Sequence, residues 1–312
     1  VVTTGQRTPA PVATSGPGLM MRGGLPVPRV GKLPAPKLSP AGELSTVEPD
    51  PWEDLRRYTP ARIALGRAGA SLPTAEVLDF QMAHAQARDA VHLALDFAAL
   101  AGALRQAGFA TAAVESLAAT RQEYVRRPDL GRRLHPDCRA TLAPALGDAT
   151  SAQRLTLVVA DGLSSRAAAT HALPLLCALR SRLIAHAARW SIDTIILASQ
   201  ARVALADEVG ALRKAEAVVI LLGERPGLSS PDSLGLYMTY RPRPGLTDAD
   251  RNCISNVRAA GLGYAEAALK LHFLLDAARA AGVSGTSVKD HTDQSADSLS
   301  ALPGSDACDA DR

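Results

Sequence analysis

Three short aliphatic runs, each followed by a turn and a stretch of helical period, constrain this chain more than any other feature. They are residues 155–160 (LTLVVA), 194–198 (TIILA) and 217–222 (AVVILL). Brief runs of Val, Ile and Leu without polar alternation fit strands buried on both faces, as parallel strands usually are. The stretches that come after them, 165–189, 203–214 and 264–281, space their apolar residues as helices do, and Gly282 stops the last. This alternation predicts an α/β fold: an open, largely parallel sheet with flanking helices. A mostly helical N-terminal region precedes it, from about residue 54 to 147. Thr74 is its candidate N-cap, and Val77, Leu78, Met82, Ala85, Ala90, Val91 and Leu93 recur on a helical face. Gly108 closes a following helix that holds Leu100 and Leu104. The chain shows no internal repeat.

The two ends read differently. Ten of the 21 prolines fall within the first 51 residues. Such a segment has too little apolar surface to offset the entropy of ordering it. Residues 289–312 hold six aspartates and no glutamate, opposed only by Lys289 and Arg312. The expected organisation is a disordered Pro-rich leader (1–50), a helical region (51–150), an α/β domain (151–288) and a disordered acidic tail (289–312).

Charge and cysteine usage narrow the function classes. The net charge is +3, and the densest basic cluster, Arg126, Arg127, Arg132 and Arg133, has only Tyr124 beside it for stacking. That argues against a nucleic-acid surface. Cys138, Cys177, Cys253 and Cys308 form no CxxC pair and no zinc-type spacing with histidine, so neither a metal site nor a disulfide framework is expected. No apolar run approaches the ~20 residues that span a bilayer, and no signal-peptide core is visible. The chain reads as soluble and intracellular, in a reducing compartment.

Three strings are candidate sites. Residues 159–165 (VADGLSS) form a strand–turn–helix junction, where Gly162 allows a tight turn and Ser164 or Ser165 caps the helix. An ordinary βα turn is the plainer reading, since neither GxGxxG nor Walker A spacing is present, and Arg166 stands where a nucleophile elbow needs glycine. Residues 223–228 (GERPGL) directly follow the third aliphatic run, at the strand ends where open α/β sheets bind ligands. A solvated surface turn explains Glu224 and Arg225 equally well. In residues 251–256 (RNCISN), Cys253 is a nucleophile, a ligand or a small buried residue; burial is the plainer reading because no His or Asp closely follows. His84 and His92 read as structural. These patterns end at an α/β domain with a polar site at its strand ends, and they name no ligand.

The same strings resemble the small subunit, or light chain, of ethanolamine ammonia-lyase. The resemblance runs from ARIALGRAGASLPT at 61–74 through YVRRPDLGRRL at 124–134, ADGLSS at 160–165 and ARVALADEVG at 201–210. It continues in AVVILLGERPGL at 217–228 and RNCISNV at 251–257, and it fades near GVSGTS at 282–287. RPDLGRRL, GERPGL and CISN in this order are highly specific in combination. The resemblance implies a lyase subunit that converts ethanolamine to acetaldehyde and ammonia by a radical mechanism, using adenosylcobalamin (coenzyme B12) held between this chain and a large subunit in a hetero-oligomer. The large subunit would carry the substrate site, so no catalytic residue and no metal ligand are assigned here. By motif position, Val203, Glu224 and Cys253 match the small-subunit cobalamin contacts. Cobalamin proteins that exchange the cofactor's own base for histidine use DxHxxG, which none of the seven histidines here occupies, so base-on binding is expected. A cytoplasmic location follows, with packaging in a bacterial ethanolamine-utilisation microcompartment as a family possibility, although the leader shows no amphipathic targeting helix. Residues 198–201 (ASQA) lack the aromatic that some members carry, and the tail has no family counterpart. Two readings from other classes compete. A stand-alone nucleotide-binding α/β enzyme would need its own acid, base or nucleophile set, and a non-catalytic assembly subunit would need no polar site at the strand ends.

Overall fold

The computed structural model describes residues 47–142, 153–186, 189–290 and 292. Most of the leader (1–50) and of the acidic tail (289–312) therefore lies outside the described residues. The chain first forms helices α1 (Thr74–His92) and α2 (Phe97–Gln106), strand β1 (Ala110–Glu115) and the short helix α3 (Arg121–Arg126). Then come β2 (Gln153–Ala160), α4 (Ser165–Ala185), β3 (Trp190–Ile192), β4 (Thr194–Ser199), α5 (Leu205–Leu212) and β5 (Ala217–Gly223). Strands β6 (Leu234–Tyr240) and β7 (Asn252–Val257) and helix α6 (Tyr264–Ala281) complete it.

The strands make one seven-stranded sheet in the order β1-β4-β2-β5-β6-β7, with β3 beside the start of β2. The pairs β1–β4, β4–β2 and β2–β5 are parallel, whereas β6 and β7 add antiparallel to the β5 edge. Alternation along the strands sorts side chains between two layers. Leu155, Leu157, Val159, Ile195, Leu197, Val219 and Leu221 pack with α4 and α6 in the larger core. Val158, Ala160, Ile196, Ala198, Val218, Ile220 and Leu222 face α5 in the smaller one. The central strands are thus covered on both faces, which is why their sequences are nearly unbroken aliphatic runs.

The antiparallel extension is fully covered on one face only. Leu234, Leu236, Met238, Ile254 and Val257 join the larger core. On the opposite side α5, eight residues long, shields β5 and, through Asp207, reaches Thr239 of β6 and Arg251 before β7, but the rest of the outer pair is less covered: Tyr237 is half-buried, while Cys253 and Ser255 are exposed.

Several local expectations shift. Thr74 is not the N-cap of α1: Pro73 holds that position, without a side-chain cap, and Thr74 is the first helical residue. The helix expected over 165–189 ends at Ala185, and that over 203–214 spans Leu205–Leu212. The 251–256 string supplies β7. Helix α6 covers the residues expected and ends at Gly282, whose φ of 73° is left-handed. No helix among the described residues is long and apolar enough to cross a membrane.

Candidate functional site

The carboxyl ends of β1, β4, β2 and β5 share one edge of the sheet, and the start of β6 and the end of β7 join them there. Much of that edge is already filled by protein. At the end of β2, Asp161 is almost fully buried and meets the Arg121 guanidinium at 3.2 Å. Burial pushes its carboxyl above the ordinary range; Arg121 and the backbone amides of Gln200, Ala201 and Gly162 oppose that without reversing it. Arg121 also donates to the carbonyls of Gly162 (2.8 Å) and Val91 (2.7 Å).

The turn that follows is closely packed. Gly162 (φ 57°) donates its place to close packing: a Cβ there would lie 2.3 Å from the Gly223 carbonyl oxygen, and one on Gly223 would lie 1.9 Å from the Ser164 carbonyl oxygen. Ser164 caps α4 by accepting from Ala167 N–H and donates its hydroxyl to the Pro231 carbonyl at 2.7 Å. Ser165 donates to Leu93 at 2.7 Å. The ADGLSS junction is a βα turn whose Asp161, Ser164 and Ser165 side chains all bond within the protein.

The 124–134 string is a brace. Tyr124 is fully buried, with the Arg202 and Arg121 guanidinium carbons 4.4 and 4.9 Å from its ring centroid, and its hydroxyl donates to the Ala201 carbonyl at 3.2 Å. Burial raises its phenol to about 12. Arg202 N–H donates to the Gly131 carbonyl at 2.8 Å. These contacts fix the loop between β4 and α5 and therefore place Val203, half-buried against the α5-side core.

Glu224 immediately follows β5 on the same side as Leu222, so its side chain lies over the bare face of β6–β7. It does not project into water as a solvated turn residue would; that description suits its exposed neighbour Arg225. The Glu224 carboxylate accepts from the Ser233 hydroxyl and, at 3.5 Å, from the Asn256 backbone N–H. It rests on Gly235, where a Cβ would stand 2.7 Å from Oε1 and 3.0 Å from Cγ. Beside it, Cys253 pairs across the strands with Tyr237, so the two share a face. The burial expected of Cys253 is not found: the residue is exposed. Its sulfur nonetheless lies against Tyr237, and the resulting desolvation, with some help from the Glu224 charge, pushes the thiol up although the Tyr237 hydroxyl bonds to it. Tyr237 itself is pushed well above the usual phenol range, chiefly by burial.

Glu224 and Cys253 thus border one shelf on the α5 side of the sheet, and Val203 lies half-buried against the core of that same side. Glu224 and Cys253 are electrostatic neighbours through Tyr237, and Val203 and Tyr237 pack against the same core cluster. Tyr237, Ser233 and Gly235 escape sequence reasoning, because they enter through cross-strand register and no motif contains them. The chemistry on offer is that of a binding face: an apolar wall, a fixed acceptor and a protonated thiol. Among the described residues, no group of three or more His, Cys, Asp or Glu is placed to hold a metal ion. A groove of about 690 Å³ lies further out, between Leu65, Leu72, Phe80 of α1 and the turn 227–230.

Comparison with known proteins gives this shelf a family. The profile of the ethanolamine ammonia-lyase light chain matches residues 49–289. The ethanolamine ammonia-lyase small subunit of Azotobacter vinelandii is 57% identical over 244 residues, covering 78% of this chain and 90% of that protein. The small subunit from Ralstonia nicotianae is 57% identical over 235 residues, covering 74% and 85%. That from Pseudomonas syringae pv. tomato is 54% identical over 241 residues, covering 77% and 83%. The matched span takes in the sheet, the brace and the shelf together. The chain belongs to the ethanolamine ammonia-lyase light chain family.

Proposed function

We propose that this chain is the small subunit of an adenosylcobalamin-dependent ethanolamine ammonia-lyase, providing one wall of the cofactor site while a larger subunit closes it and carries the substrate. The observation that carries this reading is the one-sided cover of β6–β7. The chain leaves Cys253 and Ser255 exposed beside a half-buried Tyr237, and next to them holds an ordered carboxylate. A corrin fits that donor set. Its flat apolar face suits Val203 and the Tyr237 ring, and its rim carboxamides carry N–H groups that Glu224 is oriented to accept. The neutral thiol of Cys253 is small and leaves space for close approach.

When bound, adenosylcobalamin supplies a reversibly cleaved Co–C bond, the source of the radical chemistry that releases ammonia from ethanolamine. This chain's residues grip and orient it. The relatives are named small subunits, which implies the larger partner. The brace of Tyr124, Gly131 and Arg202 holds the Val203 wall, and the Ser233–Glu224 contact holds the opposite rim. Base-on binding is proposed for the cofactor's lower face, since no DxHxxG string is present.

The test is co-expression with a large subunit of ethanolamine ammonia-lyase. The complex is expected to bind adenosylcobalamin with a changed visible spectrum and to release ammonia from ethanolamine; the chain alone is expected to release none. In the complex, Glu224→Ala is expected to weaken cofactor binding roughly 5- to 150-fold, the equivalent of about 1–3 kcal/mol for leaving a buried donor unpaired. Ammonia release by the isolated chain, or a complex indifferent to cobalamin, refutes the assignment.

A further inference from the structure

We propose that Ser233 and Gly235 are positioning residues that set the Glu224 carboxylate in its ligand-accepting orientation; this rests on the reading that Glu224 faces the cofactor. A glutamate side chain has three torsions to freeze before its carboxylate serves as a fixed acceptor, and a site that freezes them in advance binds more tightly. Here the freezing is done from three sides. The Ser233 hydroxyl donates to Oε2, and the Asn256 N–H reaches the same oxygen at 3.5 Å. Neither of these donors uses Oε1, which lies above Gly235 and faces the shelf side of the strand pair.

Gly235 is the floor of this arrangement. A methyl group there would stand 2.7 Å from Oε1, 3.0 Å from Cγ and 3.1 Å from Cδ, inside van der Waals contact for each. The glutamate would have to shift off the strand, which disturbs its geometry to both donors. The backbone of β6 itself could stay, since only a flexible side chain blocks the space.

Ser233 is well placed to be a fixed donor. It is buried, its carbonyl accepts the Glu224 N–H at 2.9 Å, and the turn before it is fastened to the α4 cap through the Ser164–Pro231 hydrogen bond. The hydroxyl therefore reports the position of the β5–β6 turn to the carboxylate. The chemical preference that results is for a ligand presenting N–H donors along its rim.

The experiment measures equilibrium binding of cyanocobalamin, which cannot turn over, to the two-subunit complex. Ser233→Ala and Gly235→Ala are each expected to weaken binding roughly 5- to 20-fold, and Ser233→Thr, which keeps the hydroxyl, to stay within about 3-fold of wild type. In the Glu224→Ala background, Ser233→Ala is expected to add nothing. Normal affinity in Ser233→Ala and Gly235→Ala while Glu224→Ala is weakened overturns the positioning role alone. Equal losses from Ser233→Ala with and without Glu224 overturn it too, by showing a general structural effect. Normal affinity in Glu224→Ala instead removes the site reading on which the proposal rests. If Gly235→Ala does not assemble, the serine series still decides.

Discussion

Asp207 of α5 and Arg251 at the threshold of β7 form an ion pair whose side chains are 2% and 3% exposed. It links the helix that follows Val203 to the strand that carries Cys253. Arg251 also bonds Asp248 at 2.9 Å and the Leu246 carbonyl at 3.0 Å, and Thr239 bonds the Asp207 carboxylate. Burial pushes the Asp207 carboxyl above its ordinary range even though Arg251 opposes the shift, so the charged pair is a poor net stabiliser. Removing one partner is a different matter. Asp207→Ala leaves a buried guanidinium that has no neutral form at accessible pH with only the fully exposed Asp248 as ionic partner, with an expected loss of about 3–5 kcal/mol. For a domain of this size that is roughly 6–20 °C in Tm.

Arg251→Met leaves a carboxyl that can take up a proton. A folded-state value above the unfolded one means that the folded form binds protons more readily. Stability in Arg251→Met is therefore retained at low pH and lost as pH rises through the raised value. The assay is urea denaturation of the full chain followed by circular dichroism between pH 5 and 8. Asp207→Ala should be severely destabilised throughout, Arg251→Met should improve towards pH 5, and Asp207→Leu with Arg251→Met should approach wild type. A change within about 1 kcal/mol for Asp207→Ala, or the same pH profile for both single variants, refutes the argument.

Two further outcomes are expected. Cys253 should alkylate slowly at pH 7 for an exposed thiol, because desolvation and the Glu224 charge disfavour the thiolate; Glu224→Gln should speed iodoacetamide modification, and an unchanged rate would disconnect the two groups. Electron paramagnetic resonance of Co(II) in the complex should show no superhyperfine coupling from isotopically labelled histidine, and such coupling would rule out base-on binding.

What the sequence revealed follows burial. LTLVVA, TIILA and AVVILL stand out because β2, β4 and β5 are covered on both sides, so almost every residue in them is aliphatic, Thr156 and Thr194 apart. β1 (ATAAVE) hides in alanine, at an edge where five of its six residues retain some exposure. β7 (NCISNV) is an edge strand bare on one face, and its polar residues read as a loop. β6 (LGLYMTY) carries the Gly235 that the shelf requires, which breaks its strand pattern. At the candidate site, Glu224 drew notice in the sequence because its turn directly follows an evident strand. Ser233, Gly235 and Tyr237 did not, since their relation to Glu224 and Cys253 exists only in the antiparallel register. In the ADGLSS turn the residue types suited a ligand, but their partners, Gly223, Pro231 and Leu93, lie in distant segments.

The interlocked glycines at 162 and 223 have a consequence for how this protein can vary. Every missense change that one nucleotide can make in a glycine codon adds a Cβ, and at these two positions that atom lands 2.3 and 1.9 Å from a backbone oxygen. A flexible side chain can step aside; a backbone oxygen moves only with its strand or helix. Neither glycine can be relieved by changing the other, because each is already the smallest residue. The βα junction and the strand that ends beside Glu224 therefore form a mutational dead end, around which the rest of the shelf must diversify while the spacing between α4 and β5 stays fixed.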